Sequence, residues 1–168
     1  MTVDALLTQV KVSQDIIDGD GNYVMTVKEN QKALFDDVKT TFDGPCSRFL
    51  RKWSDKTIDI GHGRIEERIL TSSDELKGYS DWPGLWQVFK LTRTVIIKKT
   101  GEVSKEMVYG ITSLSPEEAS PRRLLELVRN HWHIESKSHW VRDVTFDEDR
   151  SQVRSGNTPQ VLASIRNT

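Results

Sequence analysis

Hydrophobic and polar positions at the start of the chain alternate with the period of a strand, then of a helix, and then repeat that order. "MTV" predicts the end of a strand at Asp4, and "DALLTQVKVSQDII" predicts a helix with Asp4 as its N-cap. "NYVMTVK" predicts a second strand, and "ENQKALFDDVKTTF" predicts a second helix that ends at "DGP". The crossover rule places the two strands side by side and parallel. Since two parallel strands alone do not form a stable sheet, we expect this pair to lack partners within the sequence.

The middle of the chain changes to short segments rich in β-branched and aromatic residues. "RIEERILTS", "LWQVFKLTRTVIIKK" and "SKEMVYGITSL" predict strands, because each is bounded by turn residues. "KTGEVS" between the last two is typical of a hairpin connection. Residues 56–113 are therefore predicted to form an antiparallel sheet of about three strands.

A long amphipathic helix is predicted after the sheet. Ser120 before Pro121 is typical of an N-cap followed by the first helical position. Glu135 falls on the apolar side of this helix, where an uncompensated carboxylate is costly. The residue pattern leaves two interpretations open: a buried acid paired with Arg142 or a histidine, and an acid that holds a metal ion.

Composition limits the classes of protein that the chain can belong to. It has 168 residues with 36% hydrophobic and 29% charged positions, which is typical of a globular protein. The single cysteine, Cys46, excludes a disulfide framework and is consistent with a cytoplasmic location. No apolar run approaches the length that spans a membrane, so we expect no membrane partner.

Charge is distributed unevenly, although the net charge is only −1. Residues 1–45 carry four Lys against eight Asp or Glu, whereas residues 86–108 carry five Lys or Arg against two Glu. The basic segment could contact phosphates, but a solvated sheet face explains the same count.

Six stretches together resemble the DDE transposases of bacterial insertion sequences, most closely the H-repeat-associated group. In chain order they are "DALLTQ", "YVMTVKENQ", "HGRIEERI", "WPGLWQV", "HWHIESKSHWVRDVTFDEDRS" and "SGNTPQVLASIRN". Each stretch alone is a weak signal, whereas all six in the order of the family make a specific one.

The resemblance implies an α/β fold with a partial ribonuclease H-like core. The parallel strand-helix-strand-helix unit would occupy residues 1–50, and an antiparallel β insertion would follow in residues 51–114. Residues 115–168 would hold the helix of the catalytic glutamate and a truncated C-terminal segment. Such cores place two aspartates and a glutamate at the ends of the strands.

The resemblance also implies the chemistry. The second aspartate of the family corresponds to Asp4, and the glutamate corresponds to Glu135, so both are expected to be catalytic and to bind metal. Cleavage and joining of DNA phosphodiesters would use two Mg²⁺ ions, which prefer carboxylate oxygens. The residues alone also allow Asp4 to act only as a helix cap.

The first aspartate of the family, usually within "IDGK", has no counterpart here, and "FDGP" at residues 42–45 follows a predicted helix. We therefore expect the C-terminal part of a transposase that is inactive alone. Its expected partners are transposon ends and target DNA, together with a second copy or an upstream fragment that supplies the missing acid. The alternative is a remnant that binds DNA or a transposase without catalysis.

Several further residues are candidates for contact with DNA phosphates. Lys28 follows the second predicted strand, but an ordinary solvated lysine explains it equally well. His62 and Arg64 open the insertion sheet, where a structural turn is the alternative. The remaining candidates lie in or after the long helix: His131, His139 and Arg142. A second alternative function is a zinc protein that uses His131, Glu135 and His139 at helical spacing.

Overall fold

The computed structural model describes residues 1–3 and 5–134. A mixed sheet of six strands in the order β1-β2-β6-β5-β4-β3 organises the fold. The chain divides into two compact units, Met1–Val128 and Arg129–Thr168, and all six strands belong to the first. Among the described helices, none is both long and apolar enough to cross a bilayer.

The N-terminal part is the predicted parallel unit. Strand β1 (Thr2–Val3) lies parallel to β2 (Val24–Val27), with Thr2 opposite Val24. Helix α1 (Val10–Asp18) connects them, and α2 (Lys32–Asp43) follows β2. The prediction that the first helix starts directly after Asp4 is wrong. A 3₁₀ turn at Ala5–Leu7 comes first, and Gln9 is the residue that precedes α1.

Four antiparallel strands follow, one more than predicted. They are β3 (Trp53–Gly61), β4 (Arg64–Ser73), β5 (Gln87–Ile97) and β6 (Val103–Thr112). The hairpin predicted from "KTGEVS" connects β5 to β6, where the N–H of Gly101 donates to the Ile97 carbonyl at 2.8 Å. Strand β3 was missed because its inward positions are mostly polar.

The prediction that the parallel pair lacks partners is also wrong. Strand β6 pairs antiparallel with β2 along the whole of β2, with Val24 opposite Thr112 and Val27 opposite Tyr109. The parallel unit and the antiparallel strands therefore form one continuous sheet. This pairing gives β2 a hydrogen-bonded neighbour on both sides, which stabilises it as a central strand.

Both faces of the sheet are covered where β2, β5 and β6 lie together. On one face, Met25, Val88 and Ile111 are fully buried in a cluster that includes Leu34 and Val38 of α2. On the other face, Phe89 and Leu91 are also fully buried. Gln87 donates from this second face to the carbonyls of Leu114 and Ala119, at 2.9 and 3.1 Å. The segment that leads into the last helix is thereby held against the sheet.

Helix α3 spans Pro121–Ile134 and begins as predicted. The Ser120 hydroxyl accepts the N–H of Arg123 at 3.5 Å, so Ser120 caps the helix. Leu124, Leu125 and Val128 are buried, which agrees with the predicted apolar side of the first turns. The second unit contributes Arg129–Ile134 to the described helix.

Candidate active site

A cavity of about 630 Å³ lies at the carboxyl ends of the parallel strands. Ends of parallel strands are where ligands bind in open α/β sheets, because loops diverge there and leave a crevice. Four parts of the chain line it. They are the 3₁₀ turn (Ala5 and Leu6), the end of β2 with the residues after it (Val27–Asn30), α2 (Phe35) and β6 (residues 106–109). The cavity is thus built where two of the family-like stretches meet.

Three hydrogen bonds join the first eight residues of the chain to β2 and the residues that follow it. The N–H of Val24 donates to the Met1 carbonyl at 2.8 Å, and the Thr8 hydroxyl donates to the Thr26 carbonyl at 2.7 Å. The side-chain amide of Asn30 donates to the Ala5 carbonyl at 2.8 Å. Since Thr8 is fully buried, its bond replaces hydration that the hydroxyl and the Thr26 carbonyl lose on folding. The backbone on both sides of position 4 is therefore anchored to β2.

Thr8 and Asn30 are the residues that sequence reasoning missed. Both lie inside the quoted stretches "DALLTQ" and "YVMTVKENQ". Each donates a side-chain hydrogen bond that joins the two stretches. The stretches were a usable signal, but the partners could be identified only after the strands were placed side by side.

Lys28 and Glu29 directly follow β2 and line the cavity. Both side chains are exposed. Lys28 takes part in no ion pair among residues 1–3 and 5–134, so its ammonium group is available to an anion that enters the cavity. Lys28 therefore lies at the cavity, and its contact with a DNA phosphate remains a prediction.

Tyr109 and Phe35 form a wall of the cavity through an edge-to-face contact with ring centroids 5.4 Å apart. The Tyr109 hydroxyl donates to Asp43, which also accepts from Lys90. Burial and the adjacent Asp43 carboxylate raise the pKa of Tyr109 to about 12. Burial alone would raise the pKa of Asp43, but the bonds from Lys90 and Tyr109 lower it. Asp43, the acid of "FDGP", is thus committed to an ion pair.

His62 and Arg64 lie away from the cavity, in the turn between β3 and β4. His62 has φ +47° and Gly63 has φ +73°, and Gly61 pairs with Arg64 across the turn. Two consecutive positive φ values identify the type I′ turn that suits a two-residue hairpin. His62 therefore has the structural role in a turn that was the alternative to DNA contact. Contact of His62 and Arg64 with DNA remains a prediction.

The residues that carry the predicted chemistry are only partly covered by the structure. Asp4, Glu135, His139 and Arg142 lie outside the described residues, and His131 lies in α3. Within the described part of the chain, no group of three or more His, Cys, Asp or Glu side chains could hold a metal ion. The metal-binding roles of Asp4 and Glu135 consequently remain predictions.

Comparison with known proteins gives a consistent assignment. The family model described as "Transposase DDE domain" matches residues 2–167. The chain is 29% identical over 170 residues to "Putative transposase YncI" of Escherichia coli O157:H7, which covers 99% of this chain and 43% of that protein. It is 28% identical over 174 residues to "H repeat-associated putative transposase YhhI" of Escherichia coli K12, a match that covers 99% of this chain and 45% of that protein.

A third relative, "Uncharacterized protein in dhlA 3'region" of Xanthobacter autotrophicus, is 34% identical over 121 residues. The match covers 67% of this chain and 38% of that relative. This chain therefore spans less than half the length of the curated relatives that it matches. Because the family model covers nearly every residue, and an H-repeat-associated protein is among the relatives, the chain belongs to the DDE transposase domain family.

Proposed function

We propose that this chain supplies part of the catalytic domain of a DNA transposase that cuts and joins phosphodiesters. The observation that carries the proposal is the position of the cavity. It lies at the carboxyl ends of β1 and β2, next to the position of Asp4 in the sequence and lined by Lys28. A ribonuclease H-like core would need its acids at that edge of the sheet.

Asp4 and Glu135 would be the catalytic, metal-binding acids. Their carboxylates are the oxygen donors that Mg²⁺ prefers, so the donor set fits a hard divalent cation. When bound, two such ions would activate the attacking hydroxyl and stabilise the leaving oxygen. Lys28 would contact a phosphate of the DNA, and the bonds of Thr8 and Asn30 would hold the backbone that carries Asp4.

The first aspartate of the family has no counterpart among these 168 residues. A third acid would therefore come from outside them, through an upstream segment or another chain. Residues 1–168 by themselves are expected to bind metal weakly and to cleave DNA poorly. The DNA partners would be transposon ends and target DNA.

Metal binding tests the proposal without requiring cleavage. Mn²⁺, used in place of Mg²⁺, would be titrated into the chain, with bound and free ion separated by electron paramagnetic resonance. Asp4→Asn and Glu135→Gln should each weaken binding at least about tenfold, since each removes a charged ligand. Glu117→Gln, which removes an exposed carboxylate of the segment before α3, is the matched control and should change nothing.

Two results would contradict the proposal. One is an Mn²⁺ affinity that neither Asp4→Asn nor Glu135→Gln alters. The other is preferential binding of Zn²⁺ that is lost in His131→Ala and His139→Ala, which would support the zinc alternative.

A further inference from the structure

Strands β3 to β6 continue well beyond the point where β2 ends. Val27, the last residue of β2, pairs with Tyr109, whereas β6 extends outward from there to Val103. Six residue steps at roughly 3.3 Å each make this extension about 20 Å long. We refer to this four-stranded extension, residues 55–70 and 91–108, as the arm.

One face of the arm is continuous with the cavity. Met107 and Tyr109 line the cavity, and alternation along β6 places Lys105 on the same face as both of them. Lys105 is exposed and has no ion pair with any described residue. A line of cations therefore starts at Lys28 in the cavity and continues outward at Lys105.

The outer end of the arm adds two more lysines in a fixed position. The N–H of Lys98 donates to the Gly63 carbonyl at 2.9 Å, which joins the β5–β6 turn to the β3–β4 turn. Lys98 and Lys99 are exposed and, among the described side chains, neither is in an ion pair. Glu102 is the carboxylate of the same turn, so the turn itself carries a net charge of +1.

We propose that this face of the arm, together with the outer turn between β5 and β6, binds the DNA duplex that flanks the cleaved phosphate, an inference that rests on the proposed function. Lys105 lies about 13 Å from Tyr109 along β6, and the turn lysines lie about 20 Å away. At 3.4 Å per base pair along each strand, the contacts fall roughly four to six base pairs from the site. These contacts go to phosphates and so depend on salt rather than on sequence.

The test measures the affinity of the full chain for a 30-base-pair DNA duplex of arbitrary sequence by fluorescence anisotropy, at a series of salt concentrations. The variant Lys98→Gln/Lys99→Gln/Lys105→Gln should reduce the slope of log K against log salt by about 2 to 3, since each lost phosphate contact contributes about 0.9. Affinity at low salt should fall at least about tenfold. Glu102→Gln should change affinity in the opposite direction.

The matched control removes three exposed cations from α1, α2 and the segment after α2: Lys11→Gln, Lys39→Gln and Arg48→Gln. It should leave the slope within about 0.5 of wild type. An equal fall in slope for both triple variants, or no binding of duplex by the wild-type chain at low salt, would overturn the inference.

The duplex measurement is made without divalent metal, whereas the proposed function is tested by Mn²⁺ binding through Asp4 and Glu135. Normal Mn²⁺ binding with an unchanged slope in the arm variant would reject the arm alone. A reduced slope with Mn²⁺ binding that does not depend on the acids would reject the proposed catalysis alone.

Discussion

The same strands pass through two very different environments in this sheet. Near β2, consecutive residues of β5 are buried on both faces, and Gln87, Val88 and Phe89 are at most 1% exposed. In the outer part of the arm, by contrast, Ile60 and Val103 are 67% and 60% exposed. A strand buried on both faces is stabilised by hydrophobic burial, whereas the arm has to be stabilised by contacts between neighbouring strands.

The two faces of the arm differ in the cross-strand contacts at its outer end. On the cavity face, Ile60, Ile65, Ile96 and Val103 form a continuous row across all four strands. On the opposite face, Glu66 is only 5% exposed and lies among three arginines. Arg68 contacts Glu66 at 2.7 Å, Arg93 donates to it, and Arg64 approaches it to 3.9 Å. The comparison indicates that cross-strand contacts, apolar on one face and ionic around Glu66 on the other, stabilise the outer part of the arm.

The largest loss of stability is expected from a substitution that disrupts the packing of the sheet near β2. A Cβ added at Gly110 would lie 2.2 Å from the Phe89 ring and 2.6 Å from the Met25 carbonyl. Gly110→Ala should therefore lower the free energy of unfolding by at least about 3 kcal/mol, since the backbone carbonyl cannot yield as a side chain can. Urea denaturation monitored by circular dichroism measures the change.

Gly61→Ala is the matched control, because Gly61 is also a strand residue but belongs to the arm. A Cβ there would have no atom within 4 Å. Its effect should stay within about 0.5 kcal/mol of wild type. Similar losses for the two variants would show that the covered region and the arm are packed alike, and would contradict the comparison.

The second prediction concerns the ion pairs of the arm. Glu66→Gln removes the charge that pairs with both Arg68 and Arg93. It should lower the free energy of unfolding by about 2 kcal/mol, because the pair with Arg68 is largely buried, whereas solvent partly screens the pair with Arg93. Glu67→Gln is the control. Among residues 1–3 and 5–134, Glu67 forms an ion pair with Lys56 alone, on the other face, and Glu67→Gln should lower the free energy of unfolding by about 0.5 kcal/mol or less.

The difference between wild type and Glu66→Gln should depend on pH. Burial would raise the pKa of Glu66, but the hydrogen bond from Arg93 and the charges of the three arginines lower it. A lowered pKa in the folded state stabilises the fold above the ordinary glutamate pKa of about 4.3, and this contribution is lost as pH falls through the folded value. Denaturation between pH 7 and pH 3 should show the difference shrink at the acid end. A constant difference would mean that Glu66 acts through packing alone.

This comparison also shows why sequence reasoning found some strands and missed others. The pattern predicted β4, β5 and β6 because each has hydrophobic residues on a buried face. Strand β3 has Asp55, Lys56 and Asp59 among its nine residues, and since it lies at the edge of the arm, burial imposes no apolar period on it. The local signal for β3 was the His62–Gly63 turn that joins it to β4. This turn is recognised as a hairpin only if both residues are expected to adopt positive φ.

The pairing of β2 with β6 was missed for a different reason. It joins Val24–Val27 to residues more than 80 positions later, and no local pattern specifies which strand fills that place. The candidate site was predictable in part. The family-like stretches indicated that Asp4 and Lys28 belong near strand ends, but the bonds of Thr8 and Asn30 depend on the 3₁₀ turn, which interrupts the predicted helix.

The smallest expected effect lies in the outer turn of the arm. His62 has φ +47°, a conformation that asparagine adopts more readily than histidine. His62→Asn should therefore raise the free energy of unfolding by about 0.5 kcal/mol. His62→Val should lower the free energy of unfolding by about 1 kcal/mol, because a β-branched side chain is strained at positive φ. Urea midpoints measure both changes, and the duplex affinity of the same variants separates the turn from a DNA contact. If His62 serves only the turn, His62→Asn will bind DNA as tightly as wild type. A loss of affinity in that more stable variant would instead assign the imidazole to the DNA surface.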